Sequence, residues 1–189
     1  MPAAPPVAVS GLVLAAGAGR RFGGPKALAR TPAGTPWVAL TVRALIEGGC
    51  RDVTVALGAG VDEAAALVPA EASIVRVEDW ESGMAASLRA GLAALSSGSA
   101  LAAVVVPVDT PELVPAAVAR VARRAAPDAL AQAAYDGAPG HPVLLGRAHW
   151  AAVSSAARGD VGARPYLIAQ GATLVECADL WSGADRDVR

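Results

Sequence analysis

From Val7 to Leu14 the chain is mostly apolar and then gives way to a glycine cluster, Gly17, Gly19, Gly23 and Gly24, which predicts a buried strand feeding a loop. Pro36 to Glu47 carries Trp37, Leu40, Thr41, Ala44 and Leu45 at helical spacing and is closed by Gly48 and Gly49. Asp52 to Leu57 reads as a second strand, Val61 to Leu67 as a helix, and Ser73 to Val77 as a third strand that alternates apolar with polar positions. A helix over Met84 to Leu95, with Leu88, Leu92 and Leu95 on one face, leads into the most hydrophobic run, Leu101 to Val106. Such a run suits a central parallel strand covered on both faces. Beyond the turn Pro107 to Pro111, the pattern predicts a helix over Glu112–Ala126, a strand over Leu130–Tyr135, a turn over Gly137–Gly140 and a strand over Pro142–Leu145. Helices over His149–Ala157 and Ala163–Gln170 and a last strand over Thr173–Cys177 complete the series.

Strands alternating with helices imply right-handed crossovers between parallel strands, hence an open α/β sheet with helices on both faces. No repeat and no linker interrupts residues 1–189, so one domain is expected. Ligands of such sheets lie beyond the carboxyl ends of the strands. Two features fall there, the glycine loop after the first strand and Asp109 after the central one.

Composition narrows the partners. The 189 residues are 54% hydrophobic and 17% charged with a net charge of −1, the balance of a compact globular protein with a sizeable core. Sixteen basic against seventeen acidic residues, without a long run of one sign, argue against a nucleic-acid surface. The apolar stretches are broken by Gly, Pro, Asp and Arg, so no membrane span is expected, and Met1 to Val9 lacks the features of a secretory signal. Cys50 and Cys177 have no neighbouring ligands and read as buried thiols of a cytoplasmic protein.

The segment Leu14-Ala15-Ala16-Gly17-Ala18-Gly19-Arg20-Arg21-Phe22-Gly23-Gly24-Pro25-Lys26 holds the densest chemistry. Glycines at a strand end let backbone N–H groups approach a phosphate chain, and Arg and Lys neutralise it. A dinucleotide fingerprint needs Gly where Phe22 stands, and a Walker A loop needs Gly-Lys followed by Ser or Thr, whereas Pro25 separates Gly24 from Lys26. A dehydrogenase is further disfavoured because Leu57 and Gly58, not an acidic residue, end the second strand. The loop is a different phosphate cradle or a plain turn.

The combination Leu-x-x-Gly-x-Gly-x-Arg followed by Pro-Lys resembles the signature of nucleotidyltransferases that join an NTP to a phosphorylated acceptor and release pyrophosphate. Four further segments match in order: Glu78 to Leu88, Val108-Asp109-Thr110-Pro111, Gly140-His141-Pro142, and Gly159 to Arg164. With these the chain resembles the MobA-like NTP transferase family, most of all its molybdenum cofactor cytidylyltransferases. The resemblance implies a three-layer α/β/α Rossmann-like nucleotidyltransferase fold with a mostly parallel central sheet. It implies that Leu14, Ala15, Ala16, Gly17 and Gly19 cradle the nucleotide, with Arg21 and Lys26 clamping its phosphates, and that Ser82, Gly83, Met84 and Ser87 lie near the base or the acceptor. His141, Asp160 and Arg164 are implied to face the acceptor. Asp109 is implied to hold Mg²⁺, with a second ligand from the segment Asp185-Arg186-Asp187, where either carboxylate could serve and Asp187 is the first choice; the family continues from there into a closing helix. Catalysis is then attributed to Arg21, Lys26 and Asp109. Ala15-Ala16-Gly17 resembles the cytidine version of the motif, which puts CTP first and a pterin phosphate first among acceptors. Small-molecule substrates are the expected partners, with transient contact to a molybdoenzyme or its chaperone.

Structural roles compete at several positions. Asp109 stands where an aspartate could cap a helix beginning near Pro111, and Asp160 has the setting of an N-cap or turn residue. His149 reads as structural, Arg120, Arg123 and Arg124 as a solvated helix face, and Trp37, Trp80, Trp150 and Trp181 as packing residues. The alternatives to molybdopterin nucleotidyl transfer are an enzyme of the same fold acting on a sugar phosphate, phospholactate or methylerythritol phosphate, with GTP open as the nucleotide besides CTP, and a nucleotide-binding module without catalysis.

Overall fold

The computed structural model describes residues 8–186. Seven strands form one sheet: β1 (Val9–Ala15), β2 (Asp52–Leu57), β3 (Ala72–Arg76), β4 (Ala102–Pro107), β5 (Leu130–Tyr135), β6 (Ala138–Gly146) and β7 (Thr173–Glu176), in the order β3-β2-β1-β4-β6-β5-β7. All neighbours pair in parallel except those of β6, which runs against both β4 and β5. The mostly parallel, three-layer arrangement expected from the sequence is the one found.

Helices cover both faces. Helices α1 (Trp37–Glu47), α2 (Val61–Ala65) and α4 (Pro115–Ala122) pack with Val9, Val13, Val55 and Val104 on one side. On the other, α3 (Met84–Ser96), α5 (Trp150–Ala156) and α6 (Arg164–Ala169) pack with Leu12, Leu14, Val105 and Leu145. β1 feeds both cores because alternate side chains point to opposite faces. Fully buried leucines such as Leu12, Leu88 and Leu92 each contribute about 2 kcal/mol of apolar burial. Cys50 and Cys177 are buried free thiols, and burial, then Asp52, pushes Cys50 up to about 12. Among the described residues no helix is long and apolar enough to cross a membrane.

Two expected boundaries are corrected. The predicted helix over 112–126 is confined to Pro115–Ala122, since Pro115 occupies its first turn and the preceding residues form a turn in which the Leu113 N–H donates to the Thr110 carbonyl. The predicted turn over 137–140 is tighter. Asp136 and Gly137, with φ of 51° and 80°, connect β5 and β6 directly, so that Tyr135 pairs with Ala138 and the strand runs through Gly140 and His141. An Asp-Gly pair is the hairpin signal for such a two-residue turn.

The helix that carries one wall of the cleft, α3, lies close on β1 because Gly91 has no side chain. A Cβ there would stand 2.4 Å from Leu12 Cδ1 and 2.6 Å from Cδ2, and Leu12 is fully buried. Alanine gains about 1 kcal/mol in helix propensity, but overpacking a filled core costs about 1–3 kcal/mol. Gly91→Ala is therefore expected to lower the thermal unfolding midpoint, and a raised midpoint would show that Leu12 repacks freely.

Candidate active site

The strand order reverses between β1, which leads left to β2 and β3, and β4 on its right. The carboxyl ends of these two strands open into a cleft of about 470 Å³, at the switch point where open α/β sheets bind ligands. Leu14, Ala15, Ala16, Gly17, Gly19, Arg21, Lys26, Gly83, Ser87 and Asp109 all line it. Ser82 does not; its hydroxyl turns away to Asp79 at 3.3 Å.

The glycine loop is folded on one carbonyl. The N–H groups of Phe22, Gly23 and Gly24 all donate to the Gly19 carbonyl at 2.9, 2.9 and 3.1 Å. Gly19 has φ of +58°, and a Cβ there would lie 2.0 Å from the Gly24 carbonyl oxygen, so its role is to close the loop. A Cβ on Gly17 would meet nothing within 4 Å, which leaves its backbone open to whatever enters the cleft. Among the described residues, the N–H groups from Gly17 to Arg21 donate to no protein acceptor, and Arg20 and Arg21 make no ion pair. Unused donors and cations side by side suit an anion.

Lys26, at the start of a single 3₁₀ turn, crosses the cleft floor to Asp109. Its Nζ lies 2.9 Å from Asp109 Oδ2, with 14% and 21% of the two side chains exposed. The other oxygen, Oδ1, is buried without a hydrogen-bond partner. Asp109 caps no helix, because α4 begins at Pro115 after Val114. An aspartate with one orphaned oxygen beside a nucleotide-sized cleft fits a hard divalent cation, which commonly takes one protein carboxylate and completes its shell with phosphates and water. Among the described residues no group of three or more His, Cys, Asp or Glu is arranged to hold a metal. Asp187 lies outside the described residues. The neighbouring Arg186 donates its backbone N–H to the Asp109 carbonyl at 2.8 Å and pairs through its side chain with Glu112, which brings the segment after β7 against Asp109.

A second cavity of about 390 Å³ shares Leu14, Met84 and Asp160 with the first. His141, Asp160 and Arg164, expected near an acceptor, all line it, as do Thr110, Gln132 and Asp185. Asp160 Oδ1 accepts the Met84 N–H at 3.3 Å and the Gly159 carbonyl accepts that of Ala85 at 2.9 Å, so this loop satisfies the amino end of α3 from a distance. His141 is held through its carbonyl, which accepts the Tyr135 hydroxyl at 2.6 Å. His149 is structural, its ring bonded to the Tyr166 hydroxyl at 2.8 Å and the Asp128 carbonyl at 3.0 Å. Arg120 lies on the solvated face expected and forks there onto Asp179 at 2.5 and 2.9 Å. Trp80 does more than pack: it lines the first cleft and presses on Gly58, where a Cβ would meet its Cβ at 2.5 Å. Its place in the matched segment Glu78 to Leu88 was the available signal.

The family profile described as the MobA-like NTP transferase domain matches residues 11–174. The chain belongs to that family. Over 95% of its length, and 92% of the relative's, it is 35% identical to nicotine blue oxidoreductase of Paenarthrobacter nicotinovorans. Two solved structures share the fold. The Rv0371c protein of Mycobacterium tuberculosis superposes with a TM-score of 0.77 at 24% identity, over 97% of this chain and 95% of that one. A nucleotidyl transferase from Methanothermobacter gives 0.74 at 22% identity, over 90% and 88%. The mycobacterial protein has also been solved as a manganese complex.

Burial lowers the His141 pKa from its ordinary 6.5, against the opposing pull of Asp109 and Asp185. The unfolded chain therefore takes up this proton at a higher pH than the folded one, and the contribution to stability, full at neutral pH, is lost as pH falls from about 6.5 toward the folded value. In thermal unfolding scans across that window, His141→Gln is expected to lose part of the acid-side decline; an identical profile would show that His141 titrates as freely as in the unfolded chain.

Proposed function

We propose that this MobA-like protein transfers a nucleoside monophosphate from an NTP, CTP first, to a phosphorylated acceptor and releases pyrophosphate, with molybdopterin the first acceptor to test. The observation that carries the reading is the Lys26–Asp109 pair lying beneath a loop of unused N–H groups at the strand switch point. An acceptor phosphate oxygen attacks the α-phosphorus in line, and pyrophosphate leaves. Positioning and charge neutralisation suffice for this chemistry, so no general-base histidine is needed.

In this reading the N–H groups of the Gly17–Arg21 stretch hold the phosphate chain, and Arg21 and Lys26 neutralise charge that builds on it. Leu14, Ala15, Ala16, Gly83 and Ser87 shape the nucleotide side, while His141, Asp160 and Arg164 hold the acceptor. Asp109, with a carboxylate of the Asp185–Asp187 segment, would hold Mg²⁺, which when bound supplies Lewis-acid stabilisation of phosphate charge. The manganese complex of the mycobacterial protein supports a divalent ion in this fold. The shared wall of the two cavities supports transfer between adjacent ligands.

A second reading is favoured by the name of the 35% identical relative, an oxidoreductase. The loop's unused N–H groups would then have to hold a dinucleotide pyrophosphate without the glycine fingerprint, which Phe22 interrupts. Oxidation of reduced nicotinamide dinucleotide by nicotine blue, absent in a blank without protein, would select it over nucleotidyl transfer.

Calorimetric titration with CTP, GTP, ATP and UTP, each with and without Mg²⁺, is expected to give magnesium-dependent binding that prefers CTP; preference for GTP would overturn the reading of Ala15-Ala16-Gly17. In a pyrophosphate-release assay with a molybdopterin acceptor, Asp109→Asn is expected to lose about 10²-fold or more in kcat, the scale seen when a group stabilising transition-state charge is removed, and wild-type turnover would take Asp109 out of the site.

A further inference from the structure

We infer that Lys26 is a placeholder cation, closing Asp109 to free metal until the triphosphate of an incoming nucleotide draws it away, so that metal and nucleotide enter the site together. The inference rests on the nucleotidyltransferase reading for what displaces Lys26, and on the following geometry for the closure itself.

Asp109 offers a hydrated cation no oxygen that is both accessible and unpaired. Oδ1 is buried, and Oδ2 is covered by the Lys26 ammonium at 2.9 Å. The ammonium is itself packed, lying 5.9 Å from the centre of the Phe22 ring, while Phe22 packs at a tilt against Trp37 at 5.2 Å between centroids. Both charges are mostly enclosed, where Coulomb attraction is screened less than in water. A divalent ion arriving alone must strip its own water and also leave Lys26 beside a second cation. Like charges at that range repel, which opposes the exchange.

A triphosphate changes the balance. The cleft that holds Lys26 and Asp109 is also lined by the Gly17–Arg21 stretch, whose N–H groups have no protein acceptor among the described residues. Phosphate oxygens held there offer Lys26 an anionic partner within the same cleft. Lys26 can then exchange its carboxylate for phosphate, and the freed Oδ2 can take the metal that arrives with the nucleotide. The ion pair thus couples two ligands, and by linkage each raises the affinity of the other by the same factor.

The consequence has opposite signs in one variant. Removing the ammonium should strengthen binding of metal alone and weaken binding of nucleotide. Mn²⁺ serves as the probe, its free concentration read by electron paramagnetic resonance in the full-length protein with and without CTP. Wild type is expected to bind Mn²⁺ weakly until CTP is added. Lys26→Met is expected to bind Mn²⁺ alone about tenfold tighter, to bind CTP less tightly, and to lose most of the enhancement, within the usual range of coupling between sites. Lys26→Arg, which keeps a cation on Asp109, should remain closed to free Mn²⁺ as wild type is.

Thermal unfolding with and without Mn²⁺ checks the folded state, and the metal should raise the midpoint of Lys26→Met more than that of wild type. If Lys26→Met does not fold, Lys26→Gln takes its place in the same titration. Unchanged or weaker Mn²⁺ affinity in the neutral variant overturns the inference, as does tight Mn²⁺ binding by wild type without nucleotide. Failure of the nucleotidyltransferase reading looks different: wild type then binds no CTP, while the Mn²⁺ gain in Lys26→Met still reports on the closure.

Discussion

Parallel pairing of β1 with β4 is the constraint on which the rest of this structure depends. It aligns Leu14 with Pro107 at the carboxyl edge of the sheet, so that the loops leaving both strands begin side by side. The Val108 N–H then bonds to the Leu14 carbonyl at 3.0 Å, extending the register one step beyond the strands. Lys26 and Asp109, 83 residues apart in the chain, can meet only because those two loops share an origin. The unbroken apolar run of β4 is the sequence-level cause, since a strand buried on both faces must take a central place.

How much of this could be read from the sequence varies with the range of the interaction. The bounds of β2 and β5 coincide with expectation because local period and flanking turn residues decide them. Helix α3 begins at Met84 as its leucine spacing suggests, yet nothing local reveals that a loop more than seventy residues later satisfies its first N–H groups. The hairpin turn lies one residue earlier than its composition suggests, because Gly137, Pro139 and Gly140 all resemble turn residues whereas backbone twist selects the Asp136-Gly137 pair. In the candidate site, the residues of one glycine loop were legible together. Their different duties were not: Gly19 closes the loop through a positive φ, and Gly17 leaves space, a distinction that depends on where Gly24 folds back.

The segment after β7 shows the same dependence. The family resemblance implies a metal ligand in Asp185-Arg186-Asp187, but only the bond from the Arg186 N–H to the Asp109 carbonyl shows which strand end the segment returns to. Arg186 and Glu112 line a separate hollow with Phe22 and Trp37. The segment is therefore held twice through Arg186, by its backbone to Asp109 and by its side chain to Glu112. Half-exposed pairs of this kind contribute little individually, about 0–1 kcal/mol, so the backbone hydrogen bond is what fixes the register.

The reversed direction of β6 has a consequence for how the fold can change. Because β6 runs against β4, its beginning rather than its end reaches the ligand edge, and His141 arrives there on a hairpin that contributes nothing to the glycine-loop cleft. The two cavities are thus furnished largely by different stretches of chain, the first by residues up to Asp109 together with Asp160, the second mostly by residues after Asp109. Substitutions in the hairpin and its neighbouring loop can reshape one cavity while the other keeps its form, so the fold is divided at this edge into two separately adjustable halves.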